Sequence, residues 1–76
     1  MYKYFTNNKE HFYRVPENHN EGENTILHVN VSEKGGGLIN LLDSISYNRL
    51  VETDEETFEQ KICTVILNLD LIDFIP

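Results

Sequence analysis

Hydrophobic and polar residues alternate in part of the first half of the chain, a pattern typical of β-strands. The clearest case runs from Thr25 to Ser32, where Leu27, Val29 and Val31 fall on one face. His28 and other polar residues fall on the opposite face, and Ile26 is an exception to the pattern. A strand with one apolar and one polar face is typical of an antiparallel sheet, so we expect antiparallel pairing.

Two shorter runs near the N-terminus predict a β-hairpin. Tyr2–Thr6 and Glu10–Val15 are rich in aromatic and β-branched residues, and they flank Asn7-Asn8-Lys9. Asn tolerates left-handed backbone and hydrogen-bonds within its own turn, which favours a tight connection. Polar and glycine-rich composition predicts two loops, Pro16–Asn24 and Glu33–Gly37.

The segment after the glycines supports two interpretations. In Leu38–Asp43 the apolar residues match helical spacing, but three glycines are a poor helix start, so its structure stays open. Ser44–Val51 alternates like a strand and is predicted as one.

The strongest helix signal lies near the C-terminus, over Thr53–Leu69. Thr53 followed by Glu56 is a capping-box pattern, and acidic residues in the first turn suit the helix dipole. At 100° per residue one apolar stripe forms, with Leu67 opposite it at about 180°. The stripe consists of Phe58, Ile62, Val65, Ile66 and Leu69. The alternative is a helix ending near Ile62, followed by a strand over Cys63–Leu71.

Together these elements predict one small α+β domain over residues 1–76. We expect an antiparallel sheet of three to four strands, with one C-terminal helix packed on one face. The predicted buried set is Phe12, Leu27, Val29, Val31, Phe58, Ile62, Val65, Ile66 and Leu69.

Charge changes the picture mainly at the C-terminal end. The chain carries a net charge of −7, and residues 51–76 hold seven carboxylates against one lysine. Such a field argues against binding to nucleic acid or to an anionic membrane surface. Aromatic residues interleaved with basic ones in the predicted hairpin suit base stacking, but a small core also needs large side chains. The candidate acidic surface comprises Glu52, Asp54, Glu55, Glu56 and Glu59.

Few residues suggest catalysis, a cofactor or a metal. Cys63 is the sole cysteine and lies in an apolar run, so we expect a small buried hydrophobe. His11, His19 and His28 match no usual ligand spacing, and the two within strands are interpreted as solvent-face or edge residues. Lys34 precedes three glycines instead of following them, unlike a phosphate-binding loop. We therefore expect no enzyme activity, no cofactor and no metal.

The remaining apolar residues point to a protein partner. A chain this short buries only about 60% of its surface and is marginally stable alone. The candidate interface comprises Leu67, Leu71, Ile72, Phe74 and Ile75. The alternative is that this tail folds back over its own core. Strands Tyr2–Thr6 and Glu10–Val15 lack an internal proline, so they are candidate edges for self-pairing.

These observations name no biological role. They favour a non-enzymatic interaction module, or a subunit of a larger assembly, over an enzyme. A homodimer is favoured over a monomer, although a charge of −7 per chain repels a like copy unless the acidic helix starts point apart. The alternative function is an acidic inhibitor that mimics nucleic acid and blocks a DNA- or RNA-binding protein. The N-terminus shows no apolar targeting segment, so the expected location is the cytoplasm.

Overall fold

The computed structural model describes residues 1–33 and 36–73, with side chains described as far as Asn68. Five strands and one helix follow each other along the chain: β1 Tyr2–Thr6, β2 His11–Pro16, β3 Ile26–Val31, β4 Gly37–Leu42, β5 Val51–Thr53 and α1 Glu55–Asp73. The strands form one open antiparallel sheet in the order β4-β3-β2-β1-β5, and α1 packs on one face. The predicted α+β fold is confirmed, with five strands where three to four were expected.

The first hairpin forms as the asparagines predict. Asn8 adopts a left-handed backbone with φ of 64°. The side-chain oxygen of Asn7 accepts hydrogen bonds from the amides of Lys9 and His11. The buried hydroxyl of Thr6 donates to the carbonyl of His11 and accepts from the amide of Asn8. These local bonds fix the register between β1 and β2 before any distant contact is needed.

The segment between β4 and β5 differs from the prediction. Leu38–Asp43, left open by the sequence, is strand as far as Leu42, whereas residues 44–50 form no regular structure. Only Val51–Thr53 pairs, and its partner is β1. The chain has to return from one edge of the sheet to the other, so residues 43–50 run across the sheet instead of extending it.

The helix begins one residue later than the capping-box pattern predicts. The side chain of Asp54 accepts a hydrogen bond from the amide of Thr57 at 2.7 Å, and α1 starts at Glu55. Thr53 instead belongs to β5 and pairs with Tyr4. The Thr53–Glu56 box is therefore wrong, because strand pairing places Thr53 outside the cap position. The alternative strand over Cys63–Leu71 is also wrong, since α1 continues through those residues.

The core lies between α1 and the sheet and contains most of the predicted set. Phe12, Val29, Phe58 and Val65 are buried together. Partly buried neighbours pack against them, namely Tyr4, Leu27, Val31, Ile39 and Ile62. The prediction for Leu69 concerns a side chain outside the described part of the structure.

Two buried-residue predictions on α1 are wrong. Ile66 is 51% exposed and Cys63 is exposed. The ammonium of Lys61 lies 5.5 Å from the centre of the Phe12 ring, on the other side of the apolar stripe. The helix is therefore rotated so that Val65 and Phe58 face the sheet, and Ile66, about 80° from Phe58, falls outside the contact.

Candidate functional site

The predicted apolar interface is only partly described. Leu67 is 79% exposed, as expected for a residue opposite the core-facing stripe. Leu71 and Ile72 lie on α1, but their side chains are outside the described part, and Phe74 and Ile75 lie outside it altogether. The helix therefore contributes Leu67 and, against expectation, Ile66 to the exposed apolar surface.

The predicted acidic surface occupies one end of the molecule. All five carboxylates are exposed, on β5 and the first turns of α1: Glu52, Asp54, Glu55, Glu56 and Glu59. None of them forms an ion pair with another described residue. The hydroxyl and amide of Thr57 donate hydrogen bonds that hold the pKa of Asp54 below its ordinary value of 3.8. Asp54 thus serves the helix cap, while its neighbours face solvent.

The outer strand β4 is a second exposed surface that sequence reasoning did not identify. Among the described strands it pairs only with β3, and no described strand pairs with its other side, which is called the free edge of β4 below. The strand reads Gly-Leu-Ile-Asn-Leu-Leu, with no charge and no proline. Leu38 and Leu41 are 53% and 56% exposed on opposite faces of the sheet. An uncharged apolar edge of this kind is a template for pairing with another strand.

Hydrogen bonds around β3 show which backbone groups of β4 point outward. The amide of Ser32 donates to the carbonyl of Gly36, and the amide of Val31 donates to the carbonyl of Glu10 on the β2 side. Antiparallel ladders alternate, so the even-numbered residues of β4 bond to β3. The amides and carbonyls of Gly37, Ile39 and Leu41 consequently face the free side.

Gly37, the first residue of β4, lies too close to the backbone of β3 for any larger residue. A side-chain carbon at Gly37 would overlap the carbonyl oxygen of Asn30 on the neighbouring strand. Gly37 and Val31 are paired across the ladder, so this contact lies where β4 first meets β3. Of the three consecutive glycines, Gly37 is thus required by packing, and it sets where the edge strand begins.

A row of polar rings crosses the sheet on the face opposite α1. His28 is buried, and its Nδ1 donates a hydrogen bond to Oδ1 of Asn40 at 2.7 Å. Its Nε2 then accepts from Nδ1 of His11 at 2.8 Å. On the outer side of His11, Nε2 lies 3.6 Å from a carboxylate oxygen of Glu10. The ring of Tyr13 stacks on His28 with centroids 4.9 Å apart.

This histidine row corrects the interpretation of His28. His28 lies on an inner strand and is buried, not on a solvent face or an edge, because β2 and β4 flank it. The His11–His28 bond needs one nitrogen without a hydrogen, so the pair can carry at most one positive charge while it holds. Within the described residues no group of three His, Cys, Asp or Glu side chains could hold a metal.

A groove of about 620 Å³ lies beside the row on the same face. Its lining comprises Lys3, Phe5, Val15, Pro16, Glu17, His19 and Tyr47. Nε2 of His19 donates to the carbonyl of Asp43 at 2.7 Å, and Nδ1 lies 2.8 Å from the hydroxyl of Thr25. His19 therefore joins the two irregular segments that border this face.

The aromatic residues of the first hairpin do not form one stacking platform. Tyr4 packs on Phe58 beneath α1, whereas Phe5 contacts Tyr47 on the opposite face. Strand alternation places Tyr4 and Phe5 on opposite faces of the sheet. Tyr13 lies on the face opposite α1, where burial raises the pKa of its hydroxyl. The alternation can be seen in the sequence, but the sequence does not show which part of the chain covers each face of the sheet.

No helix among the described residues is long and apolar enough to cross a membrane. Comparison of the chain with protein-family models, curated proteins and solved structures finds no match.

Proposed function

We propose that this chain is a non-enzymatic protein-interaction module that binds its partner by pairing a strand with the free edge of β4. The observation that carries the proposal is the set of outward backbone groups of Gly37, Ile39 and Leu41. An extended segment placed there would gain main-chain hydrogen bonds at every second residue.

The side chains of β4 support the same surface. Leu38 and Leu41 extend on opposite faces, so an added strand would cover apolar area on both. Natural edge strands usually carry a lysine, a proline or a bulge that discourages pairing. The six residues of β4 include neither lysine nor proline, and this composition favours pairing with a strand of a partner.

The experiment compares the unaltered chain with Leu38→Lys/Leu41→Lys and with Leu67→Lys. Each form is immobilised, a retained protein is identified by mass spectrometry, and that protein is then purified and titrated against all three. We expect the edge variant to bind at least about tenfold more weakly. Leu67→Lys places one such charge on an exposed leucine of α1, and we expect it to bind normally.

Two results would contradict the proposal. Equal affinity for all three forms would show that β4 is not the binding surface. If only Leu67→Lys lowered the affinity for the partner, the binding surface would be on α1 and not on β4. Circular dichroism of each variant checks that the fold is retained, and slower hydrogen exchange at the amides of Ile39 and Leu41 in the complex would locate the pairing.

A second candidate function is mimicry of a nucleic-acid backbone by the acidic surface. It is favoured by the exposure of all five carboxylates and by their lack of ion-pair partners in the described chain. A basic groove would be attracted to them by long-range charge, and salt would weaken the attraction. Capture of a purified basic nucleic-acid-binding domain at low salt, abolished by Glu55→Gln/Glu59→Gln, would support mimicry; capture unchanged by that variant would exclude it.

A further inference from the structure

We infer that the strand paired with β4 is β4 of a second copy of this chain. This inference rests on the proposed use of the β4 edge and adds the identity of the partner. Three features carry it: the direction of the free backbone groups, the fit of the exposed side chains, and the position of the acidic residues.

The backbone permits an antiparallel pair with two-fold symmetry. If the axis stands perpendicular to the sheet, each copy keeps its faces, and odd-numbered residues of one copy meet odd-numbered residues of the other. Those are the residues whose amides and carbonyls point outward, namely Gly37, Ile39 and Leu41. The two sheets would join into one of ten strands.

The side chains favour the register centred on Asn40 over the one centred on Ile39. With Asn40 opposite Asn40 of the second copy, Leu38 lies opposite Leu42 on one face, and Ile39 lies opposite Leu41 on the other. Both exposed leucines then have apolar cross-strand partners. The neighbouring register, centred on Ile39, would set Leu41 against Gly37 and Leu38 against Asn40, leaving both leucines poorly covered.

The charge distribution allows two acidic copies to approach along this edge. Each chain carries −7, but β4 itself is uncharged. Glu52 lies in β5, the opposite edge of the sheet, and the acidic start of α1 comes directly after that strand. Four strand spacings, about 19 Å, separate the two edges of one copy, well beyond a screening length of about 8 Å at physiological salt. The acidic ends therefore point apart in the dimer.

The expected dimer is concentration-dependent. Two paired six-residue strands cover less than the ~1,200–2,000 Å² typical of a stable interface. The sequence predicted that Tyr2–Thr6 and Glu10–Val15 would be edges for self-pairing, and this prediction is wrong. The corresponding strands β1 and β2 are inner strands, each paired on both sides. Strand pairing with a second copy is therefore left to the two outer strands of the described sheet, and β4 is the longer and uncharged one.

Light scattering of the full chain over a hundredfold concentration range, up to about 1 mM, tests the inference. We expect the mass to rise from one chain to two. Leu41→Lys and Leu38→Lys should each raise the dimer dissociation constant at least about tenfold, whereas Leu67→Lys should leave it unchanged. A single-chain mass throughout the range would overturn the inference, as would a dimer lost only with Leu67→Lys.

Disulfide trapping tests the register. In a Cys63→Ser background, Asn40→Cys should form a linked dimer, because residues in such non-hydrogen-bonded pairs have Cα atoms about 4.5 Å apart. Ile39→Cys should not link, since Ile39 lies opposite Leu41 of the second copy. The two Ile39 residues are therefore offset by two positions along the paired strands. Asn40 also binds His28, so Leu38→Cys/Leu42→Cys gives an independent test of the same register. Linking through Ile39→Cys alone would overturn the register.

The failure of this inference differs from the failure of the proposed function. A chain that stays single, yet binds a different purified protein through Leu38 and Leu41, would refute self-pairing and keep the edge as the binding surface. Edge variants that change neither self-association nor binding to any purified partner would refute both.

Discussion

The sheet has two covered faces, and they are covered by different kinds of structure. On one face α1 buries Phe12, Val29, Phe58 and Val65 in an apolar cluster. On the other face irregular segments border buried Val15 and Ile26, and His28 is buried among them with its hydrogen bonds satisfied. A regular helix supplies an apolar stripe, whereas loops and rings supply a mixture of apolar and polar contacts.

The difference shows how each face is specified. The helix face depends on shape, because apolar side chains only need to fill the space between two regular elements. The histidine face depends on paired donors and acceptors, since a buried imidazole without partners lowers stability. The loss of stability caused by a substitution on the helix face should therefore scale with the volume removed. On the histidine face it should scale with the number of polar groups left unpaired.

The largest expected effect is removal of the central ring from the helix face. Phe58 is 1% exposed, and Phe58→Ala should lower the free energy of unfolding by about 3–5 kcal/mol. A chain of this length has a total stability of roughly 4–11 kcal/mol, so much of the fold would be lost. Urea unfolding followed by circular dichroism measures it. Leu67→Ala, at a 79% exposed position, is the control and should change stability by less than about 0.5 kcal/mol.

On the opposite face the critical group is His28. His28→Ala removes the partner of both Asn40 and His11 and should lower the free energy of unfolding by about 1–3 kcal/mol. His11→Ala should cost less, because it leaves one group of the row without a partner, Nε2 of His28, whereas His28→Ala leaves groups of both Asn40 and His11 without one. Urea unfolding of the two variants compares them. Equal losses of stability in the two variants would contradict the expectation that the cost follows the number of unpaired groups.

Removal of Tyr47 should weaken the histidine face without changing the helix face. The ring of Tyr47 meets that of Phe5 edge-on with centroids 5.2 Å apart. Tyr47→Ala should lower stability by about 0.5–1.5 kcal/mol, the usual contribution of such a pair. Slower or unchanged hydrogen exchange in residues 43–50 of the variant would contradict the prediction that this contact holds the crossing segment.

The smallest expected effect concerns the cap that positions α1. Asp54→Ala should slightly lower the unfolding temperature, and Thr53→Ala should have no capping effect because Thr53 lies in β5. The folded-state pKa of Asp54 is lowered, so its contribution is present above pH 3.8 and is lost as the pH falls through the folded value. The difference between Asp54→Ala and the unaltered chain should thus vanish in strong acid. A difference that persists there would contradict the cap.

Sequence periodicity was reliable where local rules decide the structure. The Asn7-Asn8-Lys9 turn, the alternation in β3 and the apolar stripe of α1 all depend on neighbours within a few residues. The same periodicity failed at residues 44–50, where alternation suggested a strand. There the requirement to return to the β1 edge overrides local preference, because the chain must cross three strands to reach it.

The candidate site was harder to predict than the fold. The exposure of Leu67 and the acidic start of α1 follow from helical geometry alone, and the sequence identified both. The free edge of β4 could not be identified, since the order of strands depends on which distant segments pair. An uncharged Leu-Ile-Asn-Leu-Leu run after three glycines was the available signal, and it does not distinguish an edge strand from an inner one.

By itself the sequence determined the fold class, the first turn, the presence of the helix and most of its packing stripe, with Ile66 as the exception, because these follow from backbone preferences and from the periods of strands and helices. The tertiary structure alone decided that His28 is buried, that Asp54 and not Thr53 caps α1, and that β4 forms an edge. Each of these depends on contacts between residues far apart in the chain, and no local pattern records them. The sheet order is therefore what turns an ordinary apolar strand into an exposed surface.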